Sequence, residues 1–171
     1  MNVAHAPVEC GLTDFYAGDW VDKLDEAKVN HDERRVLVQA GASALGRKTD
    51  ELIIAALDST TVEVAAAASG LTLAKIMSAM ETLGGNDVFE DGQMTAIVPW
   101  NEWTDLLQIE QFASSDYAKD NYPLLKGSEA RFFLGTVWMP HSGLESLVSG
   151  GESRSYWFNH DAVGHASGAD I

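Results

Sequence analysis

The sequence is poor in cysteine and in positive charge, and each shortage excludes a class of protein. One cysteine, Cys10, stands in 171 residues, which excludes an intrachain disulfide and a multi-cysteine zinc site. Lysine and arginine number 11 against 26 acidic side chains, and the formal net charge is −15. Proteins that neutralise nucleic-acid phosphates or dock on anionic membranes need a basic surface, so both classes are disfavoured.

Long apolar runs are also missing. No stretch reaches the length of a membrane span, and the first residues lack the basic-then-apolar layout of a signal peptide. We therefore expect an acidic protein of the intracellular type that makes no contact with a membrane. Apolar residues make up 46% of the chain, which disfavours disorder and suits one domain or two small lobes sharing a core.

The acidity is uneven along the chain. Residues 1–60 hold 11 acidic and 6 basic side chains, whereas residues 61–171 hold 15 and 5. Salt bridges cannot neutralise the second part, because it has too few basic partners. Such a surface is normally solvated; it raises solubility and adds self-repulsion.

The clearest helix signal covers residues 32–57. Asn30 precedes Glu33 by three residues, a variant of the capping box with asparagine as the cap. An unbroken helix would be about 39 Å long. Gly41 and Gly46 each cost it roughly 1 kcal/mol relative to alanine, so we expect the close approach of another backbone, or alternatively a break near Gly46. The run contains no proline, and its apolar or small positions are Leu37, Gly41, Ala44, Leu45, Leu52, Ala55 and Ala56.

Before and after this helix the signals are shorter. Residues 1–18 show no periodicity of apolar residues and are interpreted as extended or looped. In residues 19–29 the apolar residues recur at helical spacing, which predicts a helix. Val62 and Val64 alternate with a charged residue, which predicts a short strand in a small-residue connector over 58–70.

The second part of the chain predicts alternating helices and strands. Apolar spacing predicts an amphipathic helix over 73–83, with Gly84 and Gly85 ending it at the C′ position. The other predictions are a turn at Asp91-Gly92, a buried strand over 94–98, a helix over 100–112, a strand over 131–139 with a bulge or bend at Gly135, a turn over 140–143, and a strand over 155–159.

This order of elements predicts an α+β fold. A lobe built on the long helix is followed by a lobe that bears the sheet, and we place the boundary near residues 60–70.

One stretch almost matches a phosphate-binding loop. Residues 41–49 read Gly-Ala-Ser-Ala-Leu-Gly-Arg-Lys-Thr, but the motif needs lysine directly after the second glycine, and Arg47 intervenes. The motif also needs a preceding strand and a loop, whereas this stretch lies inside a helical pattern. Small residues packing on a helix are the preferred interpretation.

Other chemical groups give weak signals. His141, His160, Asp161 and His165 could ligate a metal, but no helical ligand spacing is present and loop histidines are the more ordinary interpretation. Cys10 with His5 could form a nucleophile–base pair, although a lone cysteine is more often inert. Acidic clusters at 22–26 and 90–91 suit solvated faces and turns. We therefore assign no catalytic, cofactor-binding or metal-binding residue.

Aromatic residues are concentrated in the second part of the chain. Core packing is the default interpretation, and interface anchoring is the alternative. They are Trp100, Trp103, Phe132, Phe133, Trp138, Tyr156, Trp157 and Phe158.

Several short sequence segments, taken in order along the chain, resemble a known protein family. Residues 20–57, and above all 44–57 (ALGRKTDELIIAAL), resemble the region around the long spine helix of tailed-phage major capsid proteins. Segments further along the chain look similar to that family's apical domain: 84–85 (GG), 96–99 (AIVP), 103–107 (WTDLL), 114–117 (SSDY), 124–127 (LLKG) and 133–135 (FLG). Residues 160–164 (HDAVG) are similar to the family's closing segment.

The resemblance implies the Hong Kong ninety-seven capsid fold. Residues 1–65 would form a partial peripheral domain with the long spine helix, and residues 66–171 an apical domain with a central sheet flanked by helices. It implies self-assembly into pentamers and hexamers of an icosahedral virion shell around double-stranded DNA, in the cytoplasm of a bacterial host. It implies scaffold, portal and decoration proteins as partners, no sequence-specific DNA binding, no cofactor and no enzyme activity.

The sequence also departs from that family. Its members have an N-terminal arm and an extended loop before the region that begins here, and they continue past the position of Ile171. We therefore expect a fragment, a truncated gene product or a trimmed chain, and the loss of the arm and loop puts shell assembly in doubt.

Three alternatives remain open. An encapsulin-like cellular compartment shares the fold. A small metal-dependent hydrolase would use His141, His160, Asp161 and His165. A monomeric binding module would use an aromatic groove.

Overall fold

The computed structural model describes residues 9–21, 32–64, 70–113, 129–147, 153–166 and 168. The chain divides into two compact units, which we call unit 1 (Met1–Leu52 with Gly164–Ile171) and unit 2 (Ile53–Val163). The helices and the four-stranded sheet make this an α+β fold, as the sequence predicted. The division into a 1–65 peripheral and a 66–171 apical domain stays a prediction.

Helix α1 (Glu33–Asp58) is continuous over 26 residues. It confirms the helix predicted over 32–57, and the alternative of a break near Gly46 is wrong. Asp32 caps the helix, since its carboxylate accepts a hydrogen bond from the Arg35 N–H at 3.2 Å. The sequence predicts Asn30 as the cap, and that residue lies outside the described residues.

The two glycines of α1 have no backbone pressed against them. A Cβ added at Gly46 would meet nothing within 4 Å, and one at Gly41 would make ordinary contact with Ala17. The close backbone approach expected at these positions is therefore not found in the described part of the chain.

Helix α2 (Leu73–Gly85) confirms the predicted amphipathic helix, but its ending differs. Gly84 and Gly85 lie inside the last turn, and Asp87 holds the left-handed conformation with φ of 56°. Asp87 N–H donates to the Gly84 carbonyl and Val88 N–H to the Leu83 carbonyl, both at 3.1 Å. This is a Schellman motif with aspartate at C′, because a short polar side chain tolerates that conformation.

Strand β1 (Met94–Val98) has the predicted bounds and lies in the centre of the sheet. The sheet order is β2–β3–β1–β4, with β2 at Arg131–Phe133, β3 at Thr136–Pro140 and β4 at Tyr156–Asn159. Strands β1 and β3 are parallel, and the β1–β4 and β2–β3 pairs are antiparallel. Strand β4 confirms the strand predicted over 155–159.

Strands β2 and β3 form a hairpin, so the single strand predicted over 131–139 is wrong. Leu134 and Gly135 both have positive φ, 50° and 70°, the pattern of a type I′ turn. Phe133 pairs with Thr136 across it. Gly135 was interpreted as a bulge or bend, but two consecutive left-handed residues reverse the chain.

The predicted helix over 100–112 is split at Ile109, whose backbone is extended. Helix α3 covers Trp100–Gln108 and helix α4 covers Glu110–Ala113. Residues 61–64 form no strand, and Val62 and Val64 are both exposed. Their alternation was misleading because no neighbouring strand in the described residues pairs with them.

The remaining elements are irregular or short. The predicted turn at 91–92 is present. The turn predicted over 140–143 is replaced by the end of β3 at Pro140 and a 3₁₀ helix at Ser142–Leu147, because the chain continues from the strand almost directly into that helix. Another 3₁₀ turn covers His160–Ala162. Residues 9–18 have no regular structure, as expected, and most of the helix predicted over 19–29 falls outside the described residues. In the described part of the chain, no helix combines the length and the apolar character needed to cross a bilayer.

The sheet of unit 2 has a core on each face. Side chains alternate along the strands, so Ala96 and Val98 point to one face and Ile97 to the other. The first core lies on the face of Ala96 and Val98 and includes side chains of α2, α3, α4 and β3. Its buried residues are Ile76, Ala96, Val98, Trp103, Leu106, Phe112 and Trp138. The second joins the end of α1 to the opposite face: Ile54, Leu57, Ile97, Leu144 and Tyr156.

Candidate functional site

Asp58, Arg154 and Tyr156 form a connected polar group in unit 2. The Tyr156 hydroxyl donates to Asp58 Oδ1 at 2.6 Å, and Arg154 forms an ion pair with the same carboxylate oxygen. These contacts tie the last residue of α1 to the start of β4. A carboxylate at a helix C-terminus is unfavourable to the dipole, and the two donors offset this.

The pKa values in this cluster move away from neutrality. The hydrogen bonds from Tyr156 and Arg154 lower the pKa of Asp58 below its usual value. The hydrogen bond to Asp58 raises the pKa of Arg154. Burial and the bond to Asp58 raise the pKa of Tyr156 to about 12. A general acid or base works best with a pKa near the ambient pH, so this cluster is suited to anchoring.

A second set of polar contacts fixes the chain just before β4 to helix α3. Ser155 donates to the buried carboxylate of Glu102, and Asn101 Nδ2 donates to the Ser153 hydroxyl at 2.6 Å. The Trp100 N–H at the start of α3 donates to Glu145 Oε1 at 2.9 Å, where the helix dipole favours an acid. These carboxylates hold elements together.

The histidines proposed as metal ligands are not brought together. His141 N–H donates to the Val98 carbonyl and His160 N–H to the Gln93 carbonyl, which places them at opposite ends of β1. Five residues of extended chain separate those carbonyls by roughly 16 Å, whereas two ligands of one zinc ion lie within about 4 Å of each other.

Each of these two rings has a local partner. His141 Nδ1 accepts from the Gly143 N–H at 3.0 Å, and His160 Nε2 lies 2.7 Å from the Thr95 hydroxyl. Asp161 lies beside His160 in the 3₁₀ turn, and His165 belongs to unit 1. Over the described residues, no group of three or more His, Cys, Asp or Glu side chains is arranged to hold a metal ion.

The remaining candidates also lack a site geometry. Residues 41–49 lie within α1, as expected, and so do not form a phosphate-binding loop. Cys10 is exposed, and His5 lies outside the described residues. A cleft of about 300 Å³ is lined by residues 70–73 and by helix α3, but its carboxylate, Asp105, accepts from the Leu71 N–H at 3.1 Å and positions the entry to α2.

The aromatic residues divide between core and surface. Trp103, Trp138 and Tyr156 are buried, which confirms core packing for them. Trp100 and Phe132 are 42% and 62% exposed and remain available as surface anchors. Trp103 packs edge-on against Phe112, and the Arg131 guanidinium lies over both rings at 5.7 and 5.4 Å. Burial lowers the pKa of Arg131.

An unusual surface lies on unit 1. Within 9–21 and 32–52 no residue is buried, although the segment and helix carry many large apolar side chains. Phe15 lies under the Lys48 ammonium at 5.4 Å, and Lys48 also pairs with Glu51 at 2.8 Å. The exposed large apolar residues are Leu12, Phe15, Tyr16, Trp20, Val36, Val38, Leu45 and Leu52.

Such a surface normally marks a protein–protein contact. Three positions on this side of α1, Val38, Ala42 and Thr49, were not among the apolar positions predicted for the helix, because that prediction sought positions facing this chain's own core. The 4-3-4-3 spacing of Val38, Ala42, Leu45, Thr49 and Leu52 was the available signal.

Comparison with known families agrees with a structural role for these surfaces. The family described as phage capsid protein matches residues 1–171, the whole of the sequence. A search of curated proteins and a search of solved structures each gave no match. The resemblance noted from the sequence is therefore confirmed, with a virion capsid as the location and a structural role in the shell: the chain belongs to the phage capsid protein family.

Proposed function

We propose that this chain is a shell subunit that self-assembles into pentamers and hexamers of an icosahedral capsid around double-stranded DNA, in the cytoplasm of a bacterial host. In this proposal residues 1–65 act as a peripheral domain and residues 66–171 as an apical domain. Scaffold, portal and decoration proteins are the partners expected to act with it.

One observation carries the proposal: the described part of unit 1 has apolar side chains but no buried residue. Fully burying one Val or Leu side chain is worth about 1.5–3 kcal/mol. A 20-residue stretch of helix that leaves Val36, Val38, Leu45 and Leu52 in water gains little of this within one chain. Neighbouring subunits can supply the missing contacts.

The form of the surface suits assembly. Shell subunits need extended contacts with other copies, and head-to-tail contacts close into rings when the rotation between subunits allows it. The apolar residues of unit 1 are spread along the helix and along residues 12–20. A spread surface is better matched to a neighbouring protein than to a small ligand, which prefers a concave pocket.

The charge distribution supports the enclosing role. Unit 2 carries 15 acidic and 5 basic side chains over residues 53–163, a net of −10. Affinity for duplex DNA comes mainly from phosphate neutralisation by lysine and arginine. An acidic unit 2 therefore limits adhesion to DNA while rings form.

Assembly is tested by concentrating the purified chain and recording its mass by sedimentation velocity and its form by negative-stain electron microscopy. We expect species of five and six copies, or closed shells, that grow with concentration. A strict monomer at every concentration would contradict self-assembly of this chain. Shells that enclose a cargo protein instead of DNA would favour the encapsulin-like alternative.

DNA adhesion is tested separately by fluorescence anisotropy with a labelled duplex. We expect no binding at micromolar protein and physiological salt. Micromolar affinity under those conditions would contradict the role given to the acidic surface.

A further inference from the structure

Helix α1 carries a regular apolar stripe on its exposed side. Val38, Ala42, Leu45, Thr49 and Leu52 follow one another at intervals of four, three, four and three residues. Alternation of three and four is the heptad repeat by which one helix packs its side chains between those of another. The spacing thus specifies a helix as the element that covers the stripe.

The stripe is open to solvent. Val38, Leu45 and Leu52 are 70%, 41% and 46% exposed, and Ala42 is exposed as well. The Thr49 hydroxyl donates to the Leu45 carbonyl at 3.2 Å, so the polar atom in the stripe already has a partner.

Two contacts that the described residues 9–21 make with α1 fall beside the stripe. The Phe15 ring lies under Lys48, and Ala17 lies against Gly41. Both helix residues lie on the face next to the stripe. A Cβ at Gly46, which borders the stripe on its other side, would meet nothing within 4 Å. A second helix can therefore approach closely there.

We propose that α1 pairs, antiparallel, with α1 of a second copy of this chain through the stripe of Val38, Ala42, Leu45, Thr49 and Leu52. The second copy presents the same heptad repeat, so the stripe complements itself across a two-fold axis near Leu45. This pairing rests on the proposed function, which brings many copies together.

The helix dipoles favour the antiparallel orientation. An antiparallel pair sets the two dipoles against each other, whereas a parallel pair would align them. Charged side chains do not decide the orientation, because Arg47 lies on the far side of the helix and Asp58 is held by Arg154 and Tyr156.

The size of the stripe predicts a weak contact. Fourteen residues of rise from Val38 to Leu52 correspond to about 21 Å, and the stripe holds no aromatic side chain. Stable complexes bury about 800 Å² per partner, which five small or medium side chains do not supply. The pairing is then strong only when other contacts in an assembly hold the copies together.

The test is disulfide trapping in a Cys10→Ser background, with a mild oxidant and the full chain at high concentration. We expect Leu45→Cys to form a covalent dimer, because the two-fold axis brings position 45 near its mate. Arg47→Cys is the matched control, since it lies on the far side of the same helix and is also exposed. We expect at least tenfold less dimer from it.

Orientation is tested with a mixture of Val38→Cys and Leu52→Cys chains, one of which carries a mass tag. Antiparallel pairing predicts dimers that join the two different chains, in several-fold excess over dimers of either with itself. Excess like-with-like dimers would overturn the antiparallel assignment.

The same samples are imaged by electron microscopy, so that two failures can be told apart. Rings or shells without a Leu45→Cys dimer would overturn the pairing and leave the proposed function intact. A Leu45→Cys dimer in a solution without rings or shells would support the pairing and contradict the capsid assembly. Absence of both would contradict both.

Discussion

Units 1 and 2 are built from the same chain but hold their apolar residues differently. Unit 2 has two cores, one on each face of its sheet, whereas the described part of unit 1 has no buried residue. Both units contain tryptophan, leucine and valine, so composition does not explain the difference. A layered arrangement gives unit 2 a second surface to pack against, and the described residues of unit 1 have no buried layer of this kind.

Helix α1 shows the same contrast between buried and exposed apolar side chains within a single helix. Its last turns place Ile54 and Leu57 in the core of unit 2, while Val38, Leu45 and Leu52 remain exposed. The helix is continuous, so the difference lies in what surrounds each part. Most helix stability in proteins comes from packing, and the first five turns of α1 are therefore expected to be the less stable part.

The largest expected difference comes from two tryptophans. Trp103 is fully buried, and Trp103→Ala should lower the free energy of unfolding by about 3–5 kcal/mol. Trp20 is 98% exposed, and Trp20→Ala should change it by less than about 0.5 kcal/mol in dilute protein. Urea unfolding followed by far-UV circular dichroism measures both, and equal losses would contradict the contrast between the units.

Two leucines on α1 sharpen the comparison within one helix. Leu57 is 8% exposed and packs in the second core, so Leu57→Ala should cost about 2–5 kcal/mol. Leu52 is 46% exposed, and Leu52→Ala should be nearly neutral in dilute protein because it leaves no cavity. Denaturant midpoints compare the two, and a Leu52→Ala loss as large as that of Leu57→Ala would be inconsistent with an open first part of α1.

Two glycines should respond in opposite directions. Gly135 has φ of 70° and its added Cβ would strike the Asp91 side chain, so Gly135→Ala should destabilise by roughly 1–3 kcal/mol. Gly46 lies in a helix with open space around it, so Gly46→Ala should stabilise by up to about 1 kcal/mol. Thermal unfolding measures both signs, and stabilisation by Gly135→Ala would refute the hairpin turn.

The smallest effect concerns the pH dependence of unit 2. The pKa of Tyr156 is raised to about 12, so the folded state favours the neutral phenol. This stability is fully present below the ordinary pKa near 10 and is lost as pH rises through about 12. Tyr156→Phe removes the titrating group. The free energy of unfolding of this variant should therefore fall less than that of the unmodified protein as the pH rises from 10 to about 12.

The acid side of the same cluster has the opposite sign. The pKa of Asp58 is lowered in the folded state, so its stabilising effect is present above the ordinary value of 3.8 and is lost as pH falls below it. Asp58→Asn should therefore flatten the acid limb of the stability profile. An unchanged limb in the variant would show that the Arg154 and Tyr156 contacts with Asp58 are not formed in solution.

Local signals predicted most of the helices and strands. The bounds of β1 and nearly those of α1 and α2 follow from apolar spacing, because this is a property of residues close together in the chain. The β2–β3 hairpin was missed because Leu134 occupies a left-handed turn position that the sequence pattern assigns to glycine, asparagine or aspartate.

Contacts between residues far apart in the chain leave no local pattern in the sequence. Asp58 and Tyr156 are 98 residues apart, and no local pattern joins them. The metal site considered for His141 and His160 is not formed for the same reason. The sequence does not indicate that these two histidines lie at opposite ends of β1. The exposed stripe of α1 was within reach of the sequence, but the helix pattern alone does not reveal which of its faces the chain itself covers.

The central claim is that residues 33–52 gain their protection from other copies of the chain. Hydrogen exchange followed by mass spectrometry tests it directly, in dilute protein and in assembled material. We predict that amides of 33–52 exchange much faster than those of β1 in the dilute state and become protected on assembly. Protection of 33–52 equal to that of β1 in dilute protein, or no gain on assembly, would contradict the claim.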